Sequence, residues 1–187
     1  MLPGPARTPQ GAWSSYKNLA PEPDDHGLGH SRGGWTTKAH VAVDLHGRPL
    51  SVLITAGQSG DNPQLLPVLD AISVPARGGR GGRPRSRPDR VVADKAYSHP
   101  STRIALAARG VKVTIPERRD QIDRRTAKGS AGGRPPAFGA DVYRGRNVVE
   151  RCFARLKQWR AIATRYEKTA RNYRAGIVLA SILIWLK

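Results

Sequence analysis

Tyr143, Arg146, Glu150 and Lys157 follow one another at intervals of 3, 4 and 7 residues within DVYRGRNVVERCFARLKQWR, the stretch from Asp141 to Arg160. On a helix turning ~100° per residue these intervals put a phenol, two cations and a carboxylate on one narrow stripe. A carboxylate so placed can hold a divalent metal, and cations beside it can neutralise phosphate oxygens. Val149, Cys152, Phe153, Leu156, Trp159 and Ala163 form the adjoining apolar stripe, which sets Glu150 at the edge of a buried face. Arg146 and Glu150 are also an i,i+4 pair of the kind common on solvated helices, worth only ~0.2–0.5 kcal/mol.

A second carboxylate stands where chemistry could use it. Arg90 to Asp94 (RVVAD) reads as a short strand, with Asp94 emerging at its C-terminal end, where α/β folds expose functional groups. An ordinary strand-end turn residue would look the same. Phosphodiester cleavage needs an activated nucleophile, a stabilised leaving oxygen and charge neutralisation at phosphorus. Two divalent ions ~3.5–4 Å apart supply all three, and carboxylate oxygens are the ligands Mg²⁺ prefers.

Taken in order, VVADKAYS around Asp94 and Y-x2-R-x3-E-x6-K from Tyr143 to Lys157 resemble the signature motifs of insertion-sequence transposases of the DDE superfamily. The resemblance runs from about His30 to Lys187. It implies an α/β fold, a ribonuclease-H-like mixed sheet flanked by helices, with Asp94 and Glu150 as the second and third catalytic acids and metal ligands. It implies Mg²⁺ (or Mn²⁺) as cofactor, two ions when the acidic triad is complete, and assigns Arg146 and Lys157 to the DNA ends. Tyr143 and Arg160, with Arg80, Arg83 and Arg134 in basic loops, are the further expected DNA contacts. The partners so implied are terminal inverted repeats, target DNA and a second copy of the chain, in a bacterial, nucleoid-associated cytoplasmic setting.

The chain departs from that pattern at the first acid, which should lie on an apolar strand just upstream of a hairpin. Asp24 and Asp25 sit in a Pro/Gly-rich stretch, and Asp44 sits at the hairpin turn; none is a convincing substitute. The sheet is therefore expected to lack its first strand, and the neighbouring edge to favour aggregation. One GC-rich codon choice for Ala6 to Gly11, read in another phase, contains His-Ala-Ala-Gly, which resembles the family's sequence between first acid and hairpin. On that basis residues 1–34 are expected to be poorly ordered or out of phase and residues 35–187 to form a partial catalytic domain. An N-terminal transposase fragment is then an expected partner, and little activity is expected of the chain alone.

The elements that must position these residues are legible from pattern. Trp35 to Leu45 alternates, with Thr37, Ala39, Val41 and Val43 on one face; Leu50 to Ala56 is a second strand, and Leu45 to Arg48 the turn of a hairpin. Asp61 is placed to cap a helix carrying Leu65, Leu66, Val68, Leu69 and Ile72, whose start Pro67 kinks or shifts. Ser98 to Arg109 reads as a helix capped by Ser98 or Ser101 and stopped by Gly110, before a strand at Val111 to Ile115. Glu117 to Phe138 shows no apolar period and reads as a long Arg-rich loop, DNA-facing in a nucleic-acid enzyme, whose acids Glu117, Asp120 and Asp123 are too loosely held to bind metal. The basic loop from Ala76 to Pro88 shares GGRP with Gly132 to Pro135; it is either a minor-groove contact or a solvated connector. Trp13, Tyr16 and Leu19 have loose helical spacing in an N-terminal segment otherwise read as loop. Ala175 to Leu186 reads as a core helix, its 12 residues being short of the ~20 a membrane span needs.

Composition narrows the function without choosing it. The 187 residues suffice for one domain. Lys and Arg number 32 against 14 Asp and Glu, a net charge of +18 that repels itself unless a polyanion partner screens it. The basic residues are spread along the chain rather than set on one amphipathic helix, which disfavours a membrane surface as partner. The lone Cys152 excludes a disulfide framework and zinc-ligand spacing and fits a reducing, intracellular setting. Two rival readings share the charge: a catalytically inactive DNA-binding transposase remnant or regulator, and an unrelated basic RNA-binding protein.

Overall fold

The alternating run after Gly34 becomes the strand around which the molecule packs. The computed structural model describes residues 4–7, 25–76 and 82–186; Asp24, Arg80 and the helical spacing at Trp13 to Leu19 lie outside them. Four strands, β1 (Gly4–Arg7), β2 (Gly29–Ser31), β3 (Gly34–Val43) and β4 (Pro49–Ala56), form an antiparallel sheet in which β3 pairs with each of the others. Two of these short strands thus arise where the sequence reads as loop. The expected hairpin is present. Its turn is closed by Asp44, whose carboxylate accepts from the His46 and Arg48 amides and from Arg48 Nε at 2.8–2.9 Å. Gly47 takes φ +81° there, which glycine alone adopts without strain.

Alternation on β3 predicts one buried face, and the structure buries both. Ala39 and Val41 pack with Val52 against α5 (Asn147–Leu156), α6 (Arg160–Ala163) and α7 (Ala170–Trp185), through Cys152, Leu156, Ile162, Tyr173 and Ile177. Ala42 points the other way, into a cluster with Leu65, Val68 and Leu69 of α1 (Leu65–Asp70) and Leu106 of α2 (Pro100–Ala108). That second cluster also takes Val91 of β5 (Arg90–Val92) and, partly buried, Val113 of β6 (Lys112–Thr114), a parallel pair forming a sheet of its own. The single mixed sheet expected from sequence is therefore divided in two among the described residues. Side-chain packing, rather than a backbone ladder, joins the halves.

Other departures have local causes. Asp61 does not cap α1; its carboxylate binds Lys38 Nζ at 3.0 Å, and a 3₁₀ turn at Asn62–Gln64 brings Pro67 into the first turn of α1. Helix α2 is capped by His99, whose Nδ1 accepts from the Ser101 amide, while Ser98 turns inward and is buried. Gly110, at φ +66°, ends it as expected. The predicted Arg-rich loop contains a helix, α3 (Arg119–Ala127), carried by the i,i+4 pairs Arg119–Asp123 and Asp120–Arg124 at 3.0 and 3.1 Å. None of its residues is buried, so apolar periodicity could not reveal it. On α7, Ile177, Ala180 and Ile184 face the sheet, but Leu179, Ile182 and Leu183 are exposed, so only one face behaves as a core helix. Among the described residues no helix is long and apolar enough to cross a membrane.

The C-terminal helices are tied to β3 by a buried cation. Arg165, 1 % exposed, sits in the segment between α6 and α7. Its guanidinium donates to Thr37 Oγ1 and the carbonyls of His26, Gly27, Glu167 and Lys168, and lies 5.3 Å from the Tyr173 ring centroid. Among the described residues no carboxylate hydrogen-bonds it, and its close partners are carbonyl dipoles, a hydroxyl and an aromatic face. Burial lowers its proton affinity, an effect opposed by Tyr173, Glu167 and Asp25. Replacing Arg165 by Leu would orphan these acceptors and should cost about 3 kcal/mol in urea unfolding. Lys at this position should restore only part of it, because one ammonium cannot reach all of them; full recovery with Lys would show that charge alone matters.

His40 gives a second test. Its ring is fully buried, with Nε2 2.8 Å from Thr55 Oγ1, and burial lowers its pKa below the usual 6.5, opposed by Asp61 and reinforced by Lys38. The unfolded chain protonates this ring before the folded one does, so stability is full above ~6.5 and falls as pH drops. His40→Gln should flatten that fall between about pH 7 and 5; an unchanged slope would place the linkage elsewhere.

Candidate active site

The stripe from Tyr143 to Lys157 is not one continuous helix. Gly145 interrupts it after α4 (Ala140–Arg144), and Trp159, in an extended conformation, ends the α5 segment before α6. The joint at residues 145–149 is closed by i→i−3 bonds, from Val148 N to Gly145 O and from Val149 N to Arg146 O. This tighter turn keeps the upper half of the stripe together. Arg146 Nη2 lies 2.8 Å from Glu150 Oε1, and its guanidinium carbon is 5.5 Å from the Tyr143 ring centroid. Glu150 Oε2 and Arg146 Nη1 are both buried and have no hydrogen-bond partner among the described residues. Phe138 packs on Tyr143 at 5.3 Å, steadying the phenol from the preceding segment.

The lower half is open to solvent. Lys157 is the C-cap of α5 and exposed, and Arg160 opens α6, also exposed. Beneath the stripe, Val149, Cys152 and Leu156 are buried as the apolar spacing requires. Burial pushes the Cys152 thiol up to about 11, so it stays protonated and unreactive near neutrality. Arg83 and Arg134 are exposed cations on basic segments.

Asp94 occupies the expected strand end, two residues past β5, where its Oδ1 accepts from the Ala96 amide at 2.8 Å and starts the 3₁₀ turn Lys95–Tyr97. It opens onto a cleft of about 440 Å³ lined by Lys95, Ala96, Arg118, Arg119 and Asp120. Tyr97 behind it is fully buried with an unpartnered hydroxyl, which burial keeps from ionising, aided by Asp61 and Asp94. The structure thus joins Tyr143, Arg146 and Glu150 to one another, whereas Glu150 is not among the residues lining the Asp94 cleft. In kind, the donors suit a hard divalent ion: Glu150 has an unpaired buried oxygen, and Asp94 faces open space. In number they fall short, since the described residues hold no group of three or more His, Cys, Asp or Glu able to bind a metal ion.

Sequence reasoning passed over Arg118 and Arg119. Their signal was the double arginine directly before an Asp, in a segment read as loop. It also passed over Arg165, which nothing in local pattern distinguishes from the other arginines.

Residues 6–185 match the family model of the transposase DDE domain. The chain belongs to the DDE-domain transposases. It is 37% identical over 148 residues to a Burkholderia cepacia protein named as a transposase for insertion sequence element IS402, covering 79% of this chain and 62% of that relative. It is 33% identical over 152 residues to a Brucella ovis protein named as a transposase for insertion sequence element IS6501, covering 81% of this chain and 99% of that one. No solved structure gives a significant match.

In this transposase domain the Arg146–Glu150 pair is a partly exposed i,i+4 pair, of a kind worth only ~0.2–0.5 kcal/mol. Glu150→Gln should therefore unfold within ~0.5 kcal/mol of the parent. A loss several times larger in urea unfolding would make the carboxylate a structural tie rather than a functional group.

Proposed function

We propose that the chain is a catalytic portion of an insertion-sequence transposase that cleaves and transfers DNA strands at element ends. The observation that carries this reading is the Tyr143–Arg146–Glu150 stack, with a buried, unpaired carboxylate oxygen beside a guanidinium, in a chain of the DDE-domain family. A ribonuclease-H-like arrangement is supported by an antiparallel hairpin followed by a parallel strand pair with Asp94 just beyond β5. On this reading Asp94 and Glu150 would hold Mg²⁺ (or Mn²⁺), which would supply charge neutralisation at phosphorus and activation of the attacking oxygen. The third carboxylate is supplied from outside the described residues, within this chain or by an N-terminal transposase fragment.

The chain's own residues then divide the work. Arg146, oriented by Tyr143 and Glu150, presents a guanidinium to phosphate oxygens at the reacting strand. Lys157, Arg160, Arg83, Arg134 and Arg80 contact the phosphate backbone of the terminal repeats and target, positioning DNA without reading its bases. Two copies acting on paired ends complete the assembly.

A second reading, a DNA-binding remnant that occupies element ends without cutting, is favoured by one observation: no three-acid group exists among the described residues. Nicking of terminal-repeat DNA with Mg²⁺, by the parent and by Asp94→Ala and Glu150→Gln, separates the two. The catalytic reading expects each variant to lose at least about a hundredfold in rate while still binding DNA. Binding without nicking by the parent, with the N-terminal fragment present, would establish the remnant. Equal nicking by all three proteins would exclude these acids.

A further inference from the structure

The cleft beside Asp94 has a wall that the motifs do not assign. Arg118 grips Asp120 through two parallel bonds, Nε to Oδ1 at 2.9 Å and Nη2 to Oδ2 at 3.1 Å, and Arg124 holds the same carboxylate at 3.1 Å. The Arg118 hydrogen bond, with the two nearby guanidinium charges, keeps the Asp120 carboxyl below its ordinary range against the opposing effect of burial. Arg119, 86% exposed, is paired among the described residues with Asp123. The wall is fixed in place: Gln121 Oε1 accepts from the Arg118 amide at 3.3 Å, and its Nε2 donates to Ser98 O at 3.1 Å, pinning α3 to the turn that follows Asp94. Lys95 lines the same cleft.

A two-point guanidinium–carboxylate grip is the geometry that Arg also uses for two oxygens of a phosphate. We infer that Arg118, with Arg119 and Lys95, forms a subsite for a phosphodiester of the DNA strand entering the Asp94 cleft, and that Asp120 occupies Arg118 until that strand displaces it. Arg124 makes the exchange workable, because it still neutralises Asp120 after Arg118 turns to the phosphate. The carboxylate thereby sets a threshold: weakly held DNA does not dislodge it, and a strand already fixed by other cations does. This inference rests on the DNA-acting reading above and adds to it a partner contact and a local competitor.

The test is a double-mutant cycle on the full chain, with binding of fluorescein-labelled single-stranded and duplex DNA oligonucleotides followed by anisotropy across a salt series. Arg118→Ala should weaken binding at least about fivefold and lower the slope of log affinity against log salt by about one. Asp120→Asn should tighten binding about threefold or more in the parent, where it frees Arg118, and leave it unchanged in the Arg118→Ala background. An equal gain in both backgrounds would reduce Asp120 to a general negative charge and overturn the subsite, even with DNA binding intact. No DNA binding by the parent, or tighter binding to RNA of the same length, would instead overturn the DNA reading itself. Far-ultraviolet circular dichroism on each variant shows whether α3 persists; Asp120→Glu, which keeps the grip, should behave as the parent, and a gain in affinity with Glu would count against the placeholder.

Discussion

Much of this fold depends on one buried guanidinium. Arg165 is taken out of water, and among the described residues no carboxylate hydrogen-bonds it, so its charge is met at close range by oxygen dipoles and the Tyr173 ring. Those oxygens come from three places: the segment before β2, Thr37 on β3, and the residues that lead into α7. An unmet charge in the interior is costly, so each of these segments is held where it can reach the others. Strand β3 and α7 are thereby docked before any apolar contact is counted. The adjoining cluster of Val41, Cys152, Leu156 and Ile177 then places α5 on the same face of the sheet.

The functional stripe inherits its position from that docking. Val149, Cys152 and Leu156 anchor the underside of α5, which leaves Glu150 at the rim. The tightened turn after Gly145 brings Arg146 and Tyr143 over it, although the helix is broken there. Lys157, two turns further on, is the C-cap of α5, still helical and exposed to solvent. On the other face of β3, a different cluster fixes Tyr97 behind Asp94 and so holds Asp94 at its strand end. Asp94 and Glu150 are supported by separate cores on opposite faces of one strand.

Short-range physics made part of this visible in the sequence. The β3–β4 hairpin follows from alternation and a glycine turn, the end of α2 from Gly110, and the buried underside of α5 from its 3- and 4-residue spacing. The placement of Asp94 beyond a short apolar strand follows equally. Where side chains bury nothing, the pattern was silent. Helix α3 rests on ion pairs, so it read as loop. Asp61 read as a cap because Asp before a helix commonly is one, yet a lysine from β3, distant in sequence, bound it first.

The sequence by itself pointed to the family, through two ordered motifs, and carries a charge of +18. It also determined the faces of β3, β4 and α5, because those depend on periods of two and 3.6 residues. Only the tertiary structure decided that β3 is covered on both faces, that the strands divide into two sheets, and that Arg165 is interior. It alone set Arg118 beside Asp94. These are contacts between residues far apart in the chain, set by which buried groups can satisfy one another, and no local period encodes that.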